Sequence, residues 1–316
     1  MSKLCNIEEL KSDAIENFIN SVEVILFDID GVLILHKIPI PGAIEFLEKV
    51  KKLQKKVFFV TNNTIYPKHL IVENLKPFKA TEEEILTPND VLIDYLDIIG
   101  FKNDKDIFAI TTSLPKKLLR KAGYNVITYE QIQQTPLEQS ISGVKNLILK
   151  GFEACKNVGL IYLDADLNVA AGNVQLAKAL LNHSTQKEDI LCLSGMSDEL
   201  FPIGDEFKGI GAGYYINALE KWTKRTVEPM AKPGKAMADF VKMKHNIKEN
   251  KKVLMIGDNV STDITFGVDA GFQTLLVLSG CTAEDEVMPR WSYPERVKPD
   301  YVATSLAEVY EKMKNM

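Results

Sequence analysis

A chain of 316 residues is long enough for one large α/β domain or two smaller domains. Its 46% hydrophobic and 26% charged residues are ordinary for a globular protein, and a net charge of -5 argues against a general nucleic-acid binder while allowing a local positive site for a small anion. No stretch approaches the ~18 apolar residues of a membrane span, the N-terminus has no signal-like apolar run, and Cys5, Cys155, Cys192 and Cys281 lie too far apart for a zinc cluster, so a cytoplasmic protein with reduced thiols, no membrane and no nucleic-acid partner is expected.

The first predicted element is a helix over residues 6–19, with Asn6 as cap, Glu9 three residues on, and Ile7, Leu10, Ala14 and Phe18 at helical spacing. The run Val24-Ile25-Leu26-Phe27 then reads as a buried strand of parallel-sheet type, and it ends in Asp28-Ile29-Asp30-Gly31-Val32. In an open parallel sheet, ligands bind beyond the carboxyl ends of the strands. Asp28 and Asp30 therefore leave the sheet where such folds do chemistry, and Gly31 is expected to bend the chain there. Crowding two acids is costly without a cation or a shared proton.

A helix follows with an apolar stripe of Ile44, Leu47, Val50 and Leu53. A second short strand, Val57-Phe58-Phe59-Val60, ends in Thr61-Asn62-Asn63. This strand–helix–strand unit delivers a hydroxyl and two amides to the same sheet edge as the aspartates, and such donors suit phosphate oxygens. The same residues also suit a plain helix cap after a strand.

From Thr87 onward a second alternating pattern begins. A helix contains Val91, Leu92, Tyr95 and Leu96, a strand covers residues 106–110, and a helix from Lys116 to Ala122 ends at Gly123. Apolar runs lie at 147–149, 161–163 and 190–193, with a helix from Val174 to Leu181 between the last two. The stretch from Phe201 to Gly213 is punctuated by glycines but does not fit G-x-G-x-x-G and follows no clear strand, so it reads as a loop leading into a helix with Tyr215, Ala218, Leu219 and Trp222.

The first pattern then returns. Lys232-Pro233-Gly234 precedes a helix with Phe240 and Val241, and the strand Val253-Leu254-Met255-Ile256 runs into Gly257-Asp258, with Asp263 five residues further. A helix ends at Gly271, two strands cover residues 274–278 and 300–303, and a last helix runs from Leu306 to Met313. The four histidines are scattered, so no histidine-based triad is visible.

Three apolar strands thus end in Asp28/Asp30, Thr61/Asn62 and Asp258/Asp263, with Lys232 between the last two. Oxygen ligands without His or Cys suit Mg²⁺, which keeps several waters and prefers carboxylates plus substrate phosphate. Lys232 offers a fixed positive charge for a phosphoryl group.

These motifs, in this order, resemble the haloacid dehalogenase superfamily, and within it the subgroup of p-nitrophenyl phosphatases, phosphoglycolate phosphatases, pyridoxal phosphatase and NagD-like proteins. The likeness covers residues of about 25–86 and 227–305. It implies an α/β fold: a doubly wound, Rossmann-like parallel-sheet core of residues 1–86 and 227–316, with an α/β cap of residues 87–226 inserted between motifs two and three. It further implies an Mg²⁺-dependent phosphatase acting on a small phosphomonoester through an aspartyl-phosphate. Asp28 would be nucleophile, Asp30 general acid and base, and Lys232 the stabiliser of Asp28 and the phosphoryl oxygens. Thr61, Asn62 and the Asn63 backbone would grip phosphate. The metal would be held by Asp28, the Asp30 carbonyl and Asp258, with Asp263 behind them. The resemblance also implies pairing of caps in a homodimer. Lys150-Gly151-Phe152-Glu153 stands where the family carries a Gly-Phe-Asp-like turn after the cap's central strand. Phe201, in the specificity region, stands where relatives acting on pyridoxal phosphate carry a histidine, which speaks against that substrate. A phosphotransferase or mutase of the same superfamily, and a non-catalytic phospho-ligand binder, are the alternatives.

Overall fold

A computed structural model describes residues 4–204, 207–288 and 290–314, with the backbone alone described at residues 201–204. The chain forms two compact units. The first comprises the N-terminal part as far as Thr61, then Lys68–Thr87, then the chain from Lys232 onward; the second comprises Asn62–Pro67 and Pro88–Ala231.

The first unit is built on a six-stranded sheet, in the spatial order Tyr301–Ala303, Gln273–Val277, Val253–Gly257, Val24–Phe27, Lys56–Val60 and Ile85–Leu86. All neighbours are parallel, with Val24 opposite both Val253 and Lys56. Numbered along the chain within this unit, that order is 3-2-1-4-5-6 read from the Ile85–Leu86 edge, the doubly wound arrangement with its switch point between Val24–Phe27 and Val253–Gly257. Alternate strand residues face opposite sides. Ile25, Phe27, Phe59, Leu254 and Ile256 pack with Phe46, Leu47, Val50, Leu306 and Val309 from helices Ala43–Lys52 and Leu306–Met313. On the other side, helix Thr265–Ala270 lies so close that a Cβ on Gly267 would stand 3.1 Å from Met255 Cβ. Burying each large apolar side chain of this core contributes about 1.5–3 kcal/mol.

The predicted first helix is broken in two, a 3-10 turn Ile7–Glu9 and an α-helix Ser12–Ser21. Tertiary contacts account for the break: Cys5 pairs by its carbonyl with the Val302 amide, and the Lys312 ammonium donates to the carbonyls of Glu8 and Leu10. These partners reward an extended Leu10-Lys11 over a continuous helix.

The second unit holds a five-stranded sheet in the order Glu228–Pro229, Leu191–Ser194, Val158–Leu163, Asp106–Ile110 and Asn125–Ile127, again parallel throughout. In chain order this is 2-1-3-4-5, with its own switch point between Asp106–Ile110 and Val158–Leu163. Helices Ala171–His183 and Ala212–Thr223 pack Leu176, Leu180, Tyr215 and Leu219 against it.

Two expectations for this region are corrected. Residues 147–153 lie inside helix Ile141–Ala154, started by Ser140, whose hydroxyl accepts from the Gly143 amide. Lys150-Gly151-Phe152-Glu153 is therefore helical and does not follow the central strand; Asp164 does. The glycine-punctuated stretch expected as a loop contains an antiparallel hairpin, Leu200–Gly204 with Phe207–Ile210. Two glycines just past the hairpin serve backbone packing: a Cβ on Gly211 would fall 2.0 Å from the Asp198 carbonyl oxygen, and one on Gly213 would fall 2.2 Å from that of Ser197. Among the described residues, no helix is long and apolar enough to cross a membrane.

Candidate active site

Asp28 follows the last residue of the Val24–Phe27 strand, its amide bonded to the Ile256 carbonyl at 2.9 Å. Asp258 follows Val253–Gly257 on the adjacent strand. The switch point thus places both carboxylates at one sheet edge. Asp263 joins them from the irregular helical turn Val260–Ile264, which Asn259 starts by accepting from the amides of Ser261 and Thr262. Carboxylate oxygens of Asp28, Asp258 and Asp263 lie within 4.8 Å of one another.

Among the described residues, a single ammonium sits in this cluster. Lys232 is 1% exposed, and its Nζ lies 2.5 Å from Asp28 Oδ1, 2.8 Å from Asp263 Oδ1 and 2.7 Å from the Val60 carbonyl oxygen. Burial works to lower the Lys232 pKa, but Asp263 and Asp28 outweigh it and the net shift is upward, so the lysine stays charged. Asp263 turns its other oxygen to the amides of Asp258 and Asn259, both at 3.2 Å. It is therefore engaged on both sides and orients its neighbours.

Three acids to one ammonium leave the cluster short of positive charge. Burial raises Asp28 well above the usual carboxylate range; Lys232 opposes the shift and Asp263 and Asp258 add to it. Burial and Asp263 raise Asp258 to about 7, against the pull of the Cys281 amide and Lys232. Asp30 opens to solvent on one side but is crowded by protein on the other; desolvation raises its pKa, and Lys232 and His36 draw it back. Clustered carboxylate oxygens whose ionised forms are disfavoured by burial and by one another are a donor set that fits a hard divalent ion.

The loop Ser279-Gly280-Cys281-Thr282 completes the site, and the sequence reading did not single it out. Cys281 donates its amide to Asp258 Oδ2 at 2.6 Å, Thr282 its amide to the Asp258 carbonyl at 3.0 Å, and Ser279 its hydroxyl to the Gly31 carbonyl at 2.7 Å. Gly31, at φ 82°, and Gly280 pack against each other and close on the same oxygen of Asp258: a Cβ on either would lie 2.2 or 2.0 Å from Asp258 Oδ2. The available signal was the Ser-Gly pair just past the Thr274–Leu278 strand, the place where a sheet edge carries functional loops.

Thr61 ends the Lys56–Val60 strand beside Asp28's strand, buried, with its amide bonded to the Leu86 carbonyl at 3.1 Å. The structure thus brings Asp28, Thr61, Lys232, Asp258 and Asp263 to one edge of the first unit, with Asp30 two residues past Asp28. Asn62 and Asn63, next in the chain, belong to the second unit. There Asn62 Nδ2 donates to Asp198 Oδ2 at 3.4 Å, and Asn63 Oδ1 accepts from the amides of Ile65 and Tyr66 at 3.0 and 2.9 Å. The Phe201 side chain lies outside what the structure describes.

Residues 25–125 match the family described as haloacid dehalogenase-like hydrolase, and residues 229–309 match a second, HAD hydrolase-like family. The chain is 27% identical over 312 residues to phosphoglycolate phosphatase 2 of Arabidopsis thaliana, covering 97% of this chain and 98% of the relative. Among solved structures it is similar to 4-nitrophenylphosphatase from Thermotoga maritima, with a TM-score of 0.72, 23% identity, and 94% and 99% of the two chains covered. It is also similar to the glycerol phosphate phosphatase of Mycobacterium tuberculosis in complex with magnesium, with a TM-score of 0.71, 18% identity, and 94% and 79% covered.

Proposed function

The chain belongs to the haloacid dehalogenase superfamily, and we propose that it is a magnesium-dependent phosphatase hydrolysing a small phosphomonoester through an aspartyl-phosphate. The observation that carries this reading is the buried Lys232 ammonium between Asp28 and Asp263, with Asp258 in the same carboxylate cluster. It is the charge pattern that a phosphoryl group and one divalent cation complete.

In the first step an Asp28 carboxylate oxygen attacks phosphorus, the ester P–O bond breaks, and Asp30 gives its proton to the departing oxygen. Desolvation raises the Asp30 pKa, a shift in the direction that favours the protonated form this step uses. In the second step Asp30, now ionised, takes a proton from water as the water oxygen attacks phosphorus. The bond to Asp28 breaks and inorganic phosphate leaves. Lys232, itself buried, offsets the charge of Asp28 and of the equatorial oxygens. Thr61, Asn62 and the Asn63 backbone hold the phosphoryl oxygens. The Asn63 carboxamide oxygen accepts from the amides of Ile65 and Tyr66, which holds the turn that carries its backbone amide.

Carboxylates of Asp28 and Asp258 and the Asp30 carbonyl would hold Mg²⁺, with Asp263 orienting Lys232 and the Asp258 backbone. The ion supplies charge neutralisation and polarisation of phosphoryl oxygens. The second unit serves as the cap that selects the substrate. The relatives' names, phosphoglycolate, 4-nitrophenyl and glycerol phosphate phosphatases, share the phosphomonoester and differ in the alcohol.

The test is release of phosphate from p-nitrophenyl phosphate with Mg²⁺, with EDTA, and by Asp28→Asn. Turnover should vanish with EDTA and fall at least ~10³-fold in the variant, as for other covalent nucleophiles. A folded Asp28→Asn protein working at near-normal rate would exclude the covalent route.

A further inference from the structure

The second unit carries a buried carboxylate that the mechanism does not use. Asp164 ends the central Val158–Leu163 strand at that unit's switch point and is fully buried. Five donors converge on it: the hydroxyls of Thr64 (2.9 Å), Thr111 (3.2 Å) and Tyr162 (3.3 Å), and the amides of Ala165 (2.8 Å) and Met196 (3.1 Å). A Cβ on Gly195 would stand 2.4 Å from Asp164 Cγ, so the adjacent strand end passes only as glycine. A carboxylate offers about four lone-pair directions. Protein donors fill them all, and no ligand site is left.

Thr64 is the member of this set that lies nearest the proposed phosphate grip along the chain. It is fully buried, and it is held twice: its hydroxyl by Asp164 and its carbonyl by Asn89 Nδ2 at 3.1 Å. Only Asn62 and Asn63 separate it from Thr61. The Asn63 side chain closes the following turn onto the amides of Ile65 and Tyr66, so the segment from Asn63 to Tyr66 is braced around its Thr64 anchor.

We propose that Asp164 is a positioning residue for catalysis: by anchoring Thr64 it fixes the loop that presents Asn62 and Asn63 to phosphate. The assignment rests on the phosphatase reading above. A bare core role would make the Asp164 donors interchangeable; the positioning role sets Thr64 apart from Thr111, which bonds the same carboxylate from the end of the Asp106–Ile110 strand.

The test compares Thr64→Val, Thr64→Ser and Thr111→Val. Thr64→Val should raise KM for p-nitrophenyl phosphate and Ki for inorganic phosphate together, by about tenfold or more, with kcat within about threefold. Thr64→Ser should restore both constants, and Thr111→Val should lower the melting temperature without moving either. Equal effects of Thr64→Val and Thr111→Val on KM and Ki, or none from Thr64→Val, overturn the proposal. Amide hydrogen exchange of the wild-type protein supplies a readout independent of turnover. The Ile65 and Tyr66 amides should be protected to the level of Ala165 and Met196, and exchange at the rate of an open loop overturns the anchor even if Thr64→Val does not fold. A wild-type protein that hydrolyses no ester but shows this protection would remove the phosphatase reading and leave the anchor standing.

Discussion

Single side chains divide the labour at the sheet edge by their surroundings. Asp258 is buried and Asp28 only partly exposed, with one ammonium to three acids among the described residues, whereas Asp30 is exposed to solvent. Asp30 is thus free to exchange its proton, as an acid that must reload on each turnover requires. Its replacement should depend on the leaving group. Asp30→Asn should cost about 10²–10⁴-fold with an alkyl phosphate, whose alkoxide needs a proton, and far less in the first step with p-nitrophenyl phosphate. Equal losses measured in single turnovers on the two esters would assign Asp30 some other task. Asp28 and Asp258 were legible in the sequence because each stands at the end of a short run of apolar, strand-forming residues, and Asp30 and Asp263 follow them within a few positions. The Cys281 amide and the Gly280 approach to Asp258 were not, since a backbone N–H carries no residue signature and the contact joins positions 23 apart.

At the scale of elements, helix Lys235–Lys244 shows how a packing contact becomes a pH dependence. His245 caps it and stacks on Phe58 of the Lys56–Val60 strand, ring centroids 3.6 Å apart. Burial, with Lys244 and Lys56 nearby, lowers its pKa to about 4 from 6.5. The folded state therefore disfavours the proton. The stability this represents is present above pH 6.5 and is lost as pH falls toward 4. Urea midpoints of His245→Gln should fall less between pH 7 and pH 5 than those of wild type; parallel slopes would show that this imidazole does not set the acid sensitivity. Periodicity found the strands at residues 24–27, 106–110 and 253–257 and the Leu306–Met313 helix within a residue or so, because their cores are local patterns. It missed the split of the first helix, where Lys312 and the Val302 amide supply partners from the far end of the chain.

For the molecule as a whole, the carboxylate cluster draws on segments that are far apart in sequence, so metal binding and folding of the first unit are linked. Mg²⁺ at 100 times its Kd should add ~2.7 kcal/mol to that unit's stability. The shift should be smaller at pH 6 than at pH 8, because the Asp258 carboxyl, raised to about 7, holds a competing proton at the lower pH. Thermal scans with Mg²⁺ read both effects, and Asp258→Asn should erase them; a variant that keeps the full shift would place the ion elsewhere.

The sequence by itself determined which residue types stand at the strand ends, and so the reaction class, because acid, amide and lysine chemistry is written in residue identity. Only the tertiary structure decided that Asp164, and not the Gly151 stretch, follows the second unit's central strand, that Thr64 hangs from it, and that two glycines close on Asp258. Those facts depend on which backbones pass within hydrogen-bonding distance. That is set by how the two sheets are ordered, a property no local pattern of side chains encodes.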